Sequence, residues 1–181
     1  MSSAATTDHN VFEGLFGKLF QPEGAFKADL RAVGYDVNNP ELRYPTAVLL
    51  ATLDVTARHV YPELPREEAH RKIGQRFADR YLTTILGRII RTLVLALGVD
   101  RFVMQLPKVV NLATNGLSAE VKKLEEPGQY LVTFKGEDQS PDFIAGAFEG
   151  GAQDLSVFKC RAEIVRREPA EFEMKIIGLA R

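Results

Sequence analysis

The sequence predicts an α+β fold, with a helical N-terminal half and a C-terminal ββαββ half whose antiparallel sheet is covered on one face by helices. Three observations predict it. Up to about Ala113, apolar residues recur at the spacing of a helix face. From Leu117 on, they alternate one by one with polar residues, as on a strand with one dry side. Between two such strand pairs sits one short helix built largely of Gly, Ala and Phe.

The small, polar stretch 1–10 reads as a disordered tail, which leaves 11–181 as a single α+β domain. It has no basic start and no apolar segment, so it does not read as a signal peptide. Val11–Phe20 is apolar with two glycines and fits a short strand or a helical turn. A helix is expected over Gly24–Val33, stopped by Gly34. Asn38-Asn39-Pro40 and Tyr44-Pro45 punctuate the loop that follows. Pro45 opens the next helix, striped by Leu49, Leu53, Ala57 and Val60, with Asp54 and Arg58 paired on its wet side. Tyr61-Pro62 ends it and Pro65 opens a third. There His70, Ile73, Gly74, Phe77 and Tyr81 share one arc, opposite Arg71, Lys72, Gln75, Arg76 and Asp79. The helix over Ile85–Leu97 has a wide apolar arc and is expected to be the most buried of the bundle. A further helix is expected over Asp100–Leu106, capped by Asp100.

In the second half, Leu117, Ala119 and Val121 alternate with polar residues, as do Tyr130, Val132 and Phe134, with Pro127-Gly128 turning between them. Phe158, Cys160, Ala162 and Ile164 form one later dry stripe, and Phe172, Met174 and Ile176 another, across a turn at Glu168-Pro169. Ser140-Pro141-Asp142 starts the intervening helix, which carries Phe143, Ile144, Ala147 and Phe148. Gly146 and Gly150 lie four apart on it. Each costs up to about 1 kcal/mol relative to alanine, so another backbone is expected to come close there, from the sheet, a helix of the first half or a second subunit.

Composition narrows the function. Lys plus Arg number 23 against 24 Asp plus Glu, for a net charge of −1, so no global field draws the chain to nucleic acid or anionic lipid. The most apolar stretch is broken by Arg88 and Arg91, short of the about 20 residues of a membrane span. The single cysteine, Cys160, cannot form an internal disulfide, and with 3 histidines it cannot build a structural zinc site. A reducing, cytoplasmic setting follows.

The chemistry-bearing residues are few. His70 sits in the apolar arc beside Phe77 and Tyr81, and these three form the candidate ligand pocket; a lone histidine is more often a packed, hydrogen-bonded one than a ligand. Cys160 faces inward on a strand, where a thiol is inert. Glu67-Glu68 and Glu125-Glu126 are adjacent pairs that diverge and cannot share a proton. Arg66, Arg71, Lys72, Arg76 and Arg80, joined by Arg88 and Arg91 where the two helices neighbour, make a basic strip that reads first as a solvated face and second as a site for an acidic partner or a phosphate ligand. Leu95, projecting between Arg88 and Arg91, marks the candidate interface of a homodimer. No phosphate loop, dinucleotide fingerprint, nucleophile elbow or metal motif occurs in the sequence.

Several segments carry a resemblance. They are Val11-Phe-Glu-Gly-Leu15, Leu30-Arg-Ala-Val-Gly-Tyr-Asp36, Tyr44-Pro45, Tyr61-Pro-Glu-Leu-Pro-Arg-Glu-Glu-Ala69, Ile73-Gly-Gln-Arg-Phe77 and Thr84-Ile-Leu-Gly87. In their order and spacing the chain resembles a myxobacterial paralogous family of uncharacterised proteins. Further off, the stretch from Pro141 through Gly146, Ala147 and Gly150 into Val157 is similar to the vinyl-4-reductase-type sensing domains, transport-particle subunits and haem nitric-oxide sensors. That resemblance implies a helical front, an antiparallel sheet behind and frequent dimerisation. It also implies that a haem sensor needs a proximal histidine and a Tyr-x-Ser-x-Arg motif, and the chain has no such motif. The reading is a non-enzymatic regulatory module without metal or haem cofactor. It would bind a small apolar ligand or a protein partner; the alternative is a dimeric scaffold without ligand.

Overall fold

A computed structural model describes residues 5–154 and 159–179. In it the second half folds as its alternation requires. Strands β4 (Ser118–Lys123), β5 (Gln129–Lys135), β6 (Lys159–Glu168) and β7 (Glu171–Leu179) form an antiparallel sheet in the order β4-β5-β7-β6. Val132 faces Met174 and Phe134 faces Phe172 across β5 and β7, and these residues are buried with Ala119, Ala162 and Ile176 on the dry side. Phe134 and Phe172 stack with ring centroids 4.7 Å apart. Cys160 is half-buried, in line with its inward position, whereas Phe158, expected in the same stripe, lies outside the described residues. The register slips between Ile164 and Arg166, and the bulge turns Val165 out to solvent.

A second, small sheet was not expected. Thr6–Asp8 (β1) pairs with Arg43–Pro45 (β2) and Thr114–Asn115 (β3), in the order β2-β1-β3. Thus residues 6–8, read as tail, are a central strand, while residues 1–4 lie outside the described residues. Strands of two or three residues are too short to show a period, so no pattern announced them. Asp8 then caps α1 (His9–Phe12), its carboxylate accepting from the Asn10 N–H, and the chain continues in wider, π-type turns over Glu13–Phe20. This settles Val11–Phe20 as helical.

Helices α2 (Gly24–Ala32), α3 (Thr46–Val60) and α4 (Arg66–Tyr81) follow the expected positions, and Gly34 leaves α2 at φ +99°. α5 (Ile85–Leu97) is the clear departure. Only Gly87, Ile90 and Val94 are buried on it, while Ile85, Ile89 and Leu93 are 69%, 50% and 38% exposed. Periodicity shows which residues share a face, not whether anything covers that face, and here the apolar arc is wider than its support. α6 (Val99–Met104) and α7 (Leu106–Ala113) complete the first half. Asp100 lies inside α6 and does not cap it; its carboxylate accepts from Tyr130 Oη and from Lys123 Nζ at 2.8 Å.

α8 (Pro141–Asp154) is wedged between α4 and the sheet. Its glycines meet α4: a Cβ on Gly146 would stand 2.1 Å from the Arg71 carbonyl oxygen, and one on Gly150 2.1 Å from that of Gln75. Gly74 returns the fit, since its Cβ would stand 2.1 Å from the Phe143 carbonyl oxygen. The close approach expected of these glycines is therefore to a helix of the first half.

Candidate functional site

Three apolar clusters form the core among the described residues. One joins Phe12, Phe16, Leu53 and Phe77 in the helical half, one joins the sheet to Ala145 of α8, and a small one gathers Leu82, Ile90 and Val94. Where the three meet they do not close, and a cavity of about 250 Å³ remains. Phe77 and Phe143 contribute from the first cluster, Phe134 and Ile176 from the sheet, Ile90 and Val94 from α5. Polar residues are few in its lining: Thr7, Thr46, Tyr81, Thr114 and Ser140, and beside them Gln139 and exposed Asp138.

Of the expected pocket residues, Phe77 and Tyr81 line this cavity and their rings lie 4.9 Å apart. His70 does not line it. It is buried behind the wall, with Nδ1 2.8 Å from Ser140 Oγ and Nε2 3.0 Å from Asp54 Oδ1. The Nε2 approach lies off the line a hydrogen bond needs, so it is a close but poorly aligned polar contact rather than a full bond. Burial, and then the neighbouring Arg66 guanidinium, push the His70 pKa below its ordinary value, with Asp54 pulling the other way. A neutral ring protonated on Nε2 faces Asp54 with its N–H and leaves Nδ1 to accept from the Ser140 hydroxyl. The Ser140 oxygen in turn accepts the Phe143 N–H at 3.3 Å and so caps α8.

Serine, histidine and aspartate are the residue types of a nucleophile triad. Here the serine is committed at a helix cap and the imidazole offers it Nδ1, so what the trio does is tie α3, α4 and α8 together. Asp54 does not pair with Arg58 as expected but with Arg66, at 2.6 and 3.2 Å.

A second network closes the other side of α8. Glu149 accepts from Arg71 at 2.6 and 3.1 Å, from Gln75 at 2.9 Å and from the Ala162 N–H of β6 at 3.0 Å. Burial would raise the Glu149 pKa, but these donors hold it below its ordinary value. The basic strip is thereby broken up: Arg66 serves Asp54 and Arg71 serves Glu149. Arg76 bonds the Tyr61 hydroxyl and covers the Phe20 ring, and Arg80 lies 3.4 Å from Asp79. Of the interface candidates, Arg88 and Arg91 are exposed and Leu95 is 60% exposed. Cys160 is inert where it stands, its thiol pushed up to about 12 by burial.

The signal that could have located the cavity was partly present, since Phe77 and Tyr81 lie on one arc. Thr7, Thr46 and Thr114 gave none; they come together only through the small sheet.

Solved structures share this architecture. The chain is similar to a Tt H-NOX double variant, at TM-score 0.69 and 12% identity, over 96% of this chain and 95% of that one. It is similar to an oxygen-binding H-NOX domain related to soluble guanylate cyclases, at TM-score 0.64 and 11% identity, over 94% and 92% of the two chains. A structure from work on haem distortion in the H-NOX family matches at TM-score 0.52 and 13% identity, over 86% and 85%. At such identities the likeness establishes the fold. The cavity's donor set does not fit haem: among the described residues no His, Cys, Met, Lys or Arg lines it, so of the usual haem ligands iron would meet only the Tyr81 phenol, and the propionates no cation. The Tyr81 phenol is held protonated by burial, with the charge of Asp8 adding to it. Tyr130 on the dry face of β5 is followed at two-residue spacing by Val132 and Phe134, not by the serine and arginine of a haem-binding motif.

No curated protein sequence matches the chain. A family model matches residues 5–176, and the chain belongs to the family described as "Protein of unknown function (DUF2378)".

Proposed function

We propose that the protein is a non-enzymatic sensory module that takes a small apolar ligand into the cavity between its helices and its sheet. The observation that carries this is the cavity itself, apolar on nearly every wall and placed where three packed clusters meet. α5 supplies the output in this reading. Ile90 and Val94 face the ligand, while Ile85, Ile89 and Leu93, at four-residue steps along the adjoining exposed flank of the same arc, form an apolar ridge that a second copy of the chain covers. No helix among the described residues is long and apolar enough to cross a membrane, and the single unpaired cysteine suits a cytoplasmic setting.

Native mass spectrometry of freshly purified protein tests the reading, because one spectrum reports both subunit count and retained small molecules. Dimers that shed an apolar adduct on activation are expected, together with no stoichiometric Soret band after incubation with hemin. A Soret band lost in Tyr81→Phe would replace the apolar ligand by haem. Dimers with no adduct, from protein that no apolar probe stabilises, would favour a ligand-free scaffold, for which the exposed ridge of α5 is the supporting feature.

A further inference from the structure

Inside the cavity the hydroxyls are not equivalent. Thr7 Oγ1 and Thr46 Oγ1 lie 3.3 Å apart and satisfy one another, and the Ser140 hydroxyl is engaged by His70. Tyr81 Oη and Thr114 Oγ1 are buried and have no hydrogen-bond partner among the described residues. A buried donor left unpaired carries the full cost of its lost hydration, so a folded chain keeps one where something else completes it. Both residues line the cavity, and Thr114 stands opposite Thr7 in the small sheet.

Charge is the other half of the argument. Among the described residues no cation lines the cavity, and the one acid that does, Asp138, is exposed. A carboxylate or phosphate drawn into this space would lose its water without gaining a counter-charge. Size limits the remainder: about 250 Å³ holds roughly eight water-sized groups at ~30 Å³ each, the bulk of an eight-carbon chain or a small ring system.

We infer that the ligand is an uncharged amphiphile, with an apolar body between α4, α5, α8 and the sheet and neutral hydrogen-bonding groups, hydroxyl, carbonyl or amide, that complete Tyr81 and Thr114. This rests on the cavity reading above and adds the chemical class. Tyr81 and Thr114 are then specificity-determining residues, selecting a neutral polar head over both a charged one and none.

Four probes of equal chain length separate the possibilities: octan-1-ol, octanoate, octylammonium and n-octane supplied through the vapour, each followed by scanning calorimetry of the full chain. Octan-1-ol is expected to bind most tightly. Octanoate and octylammonium should be weaker by about tenfold or more, the penalty of an unpaired buried charge. Tyr81→Phe should weaken octan-1-ol about fivefold, the worth of one neutral hydrogen bond, and leave n-octane unchanged. Thr114→Val asks the same question from the other side and carries the test if Tyr81→Phe does not fold. Octanoate or octylammonium equal to octan-1-ol would overturn the neutral class while leaving an apolar cavity in place. Octan-1-ol binding indifferent to both substitutions would overturn the assignment of its head group. Binding by none of the four probes would overturn this inference and the cavity reading together.

Discussion

A methyl group on Gly150 would be driven to 2.1 Å from the Gln75 carbonyl oxygen, and neither helix backbone can step aside cheaply. Its neighbour Gly151 has only the Ala78 methyl near it, at 3.8 Å. The two adjacent glycines should therefore respond oppositely to alanine. Gly150→Ala should lose about 1–3 kcal/mol by overpacking. Gly151→Ala should gain up to about 1 kcal/mol from helix propensity. Urea denaturation of the two variants checks this, and equal effects would contradict the seam between α4 and α8. His70 gives a second residue-scale expectation. Its folded pKa lies below its unfolded value of 6.5. Above that value both states are neutral and the ring contributes no pH dependence. As pH falls through 6.5 the unfolded chain takes up a proton that the folded one refuses, so stability drops until the folded value is reached. Glu149 acts at lower pH: its folded pKa is depressed below 4.5, so its contribution holds above that value and fades beneath it. Urea midpoints between about pH 5 and 7 should therefore fall on acidification, and His70→Gln should flatten that slope. Helical spacing alone placed His70 on the dry face, but its partners Asp54 and Ser140 belong to other helices, and no local pattern joins them.

Among the elements, the strands of the larger sheet were legible because each has one face in the core and one in water, which writes an alternation into the sequence. α8 was legible for the same kind of reason, since glycine at four-residue spacing is hard to explain except by a close backbone. α5 was misjudged. Its arc of Ile85, Leu86, Ile89, Ile90, Leu93, Val94 and Leu97 exceeds what α6 and α7 can cover, and the ridge left over runs into a groove lined by Leu93, Leu97, Phe102 and Met104. Arg88 and Leu95 flank that ridge. If a second copy covers it, Ile89→Glu and Leu95→Glu should each bury a charge at the interface and shift the protein from dimer to monomer in light scattering. A monomeric parent protein at high micromolar concentration would remove the interface from consideration.

For the molecule as a whole, the two apolar patterns meet imperfectly, and that imperfection is the candidate site. The helical and sheet halves each announce themselves by period, but the volume left between them depends on tertiary fit, which no period encodes. The fold is shared with H-NOX domains, while the described side chains lining this chain's own cavity are not suited to haem iron. The walls of that interior also differ in how they are packed. On one side α4 and α8 touch backbone to backbone through Gly74, Gly146 and Gly150, a joint with no side chain left to rearrange. On the other, α5 is held by little more than Gly87, Ile90 and Val94. A ligand that swelled the interior would therefore meet the least backing at α5, with the seam of glycines as the anvil and that helix as the diaphragm.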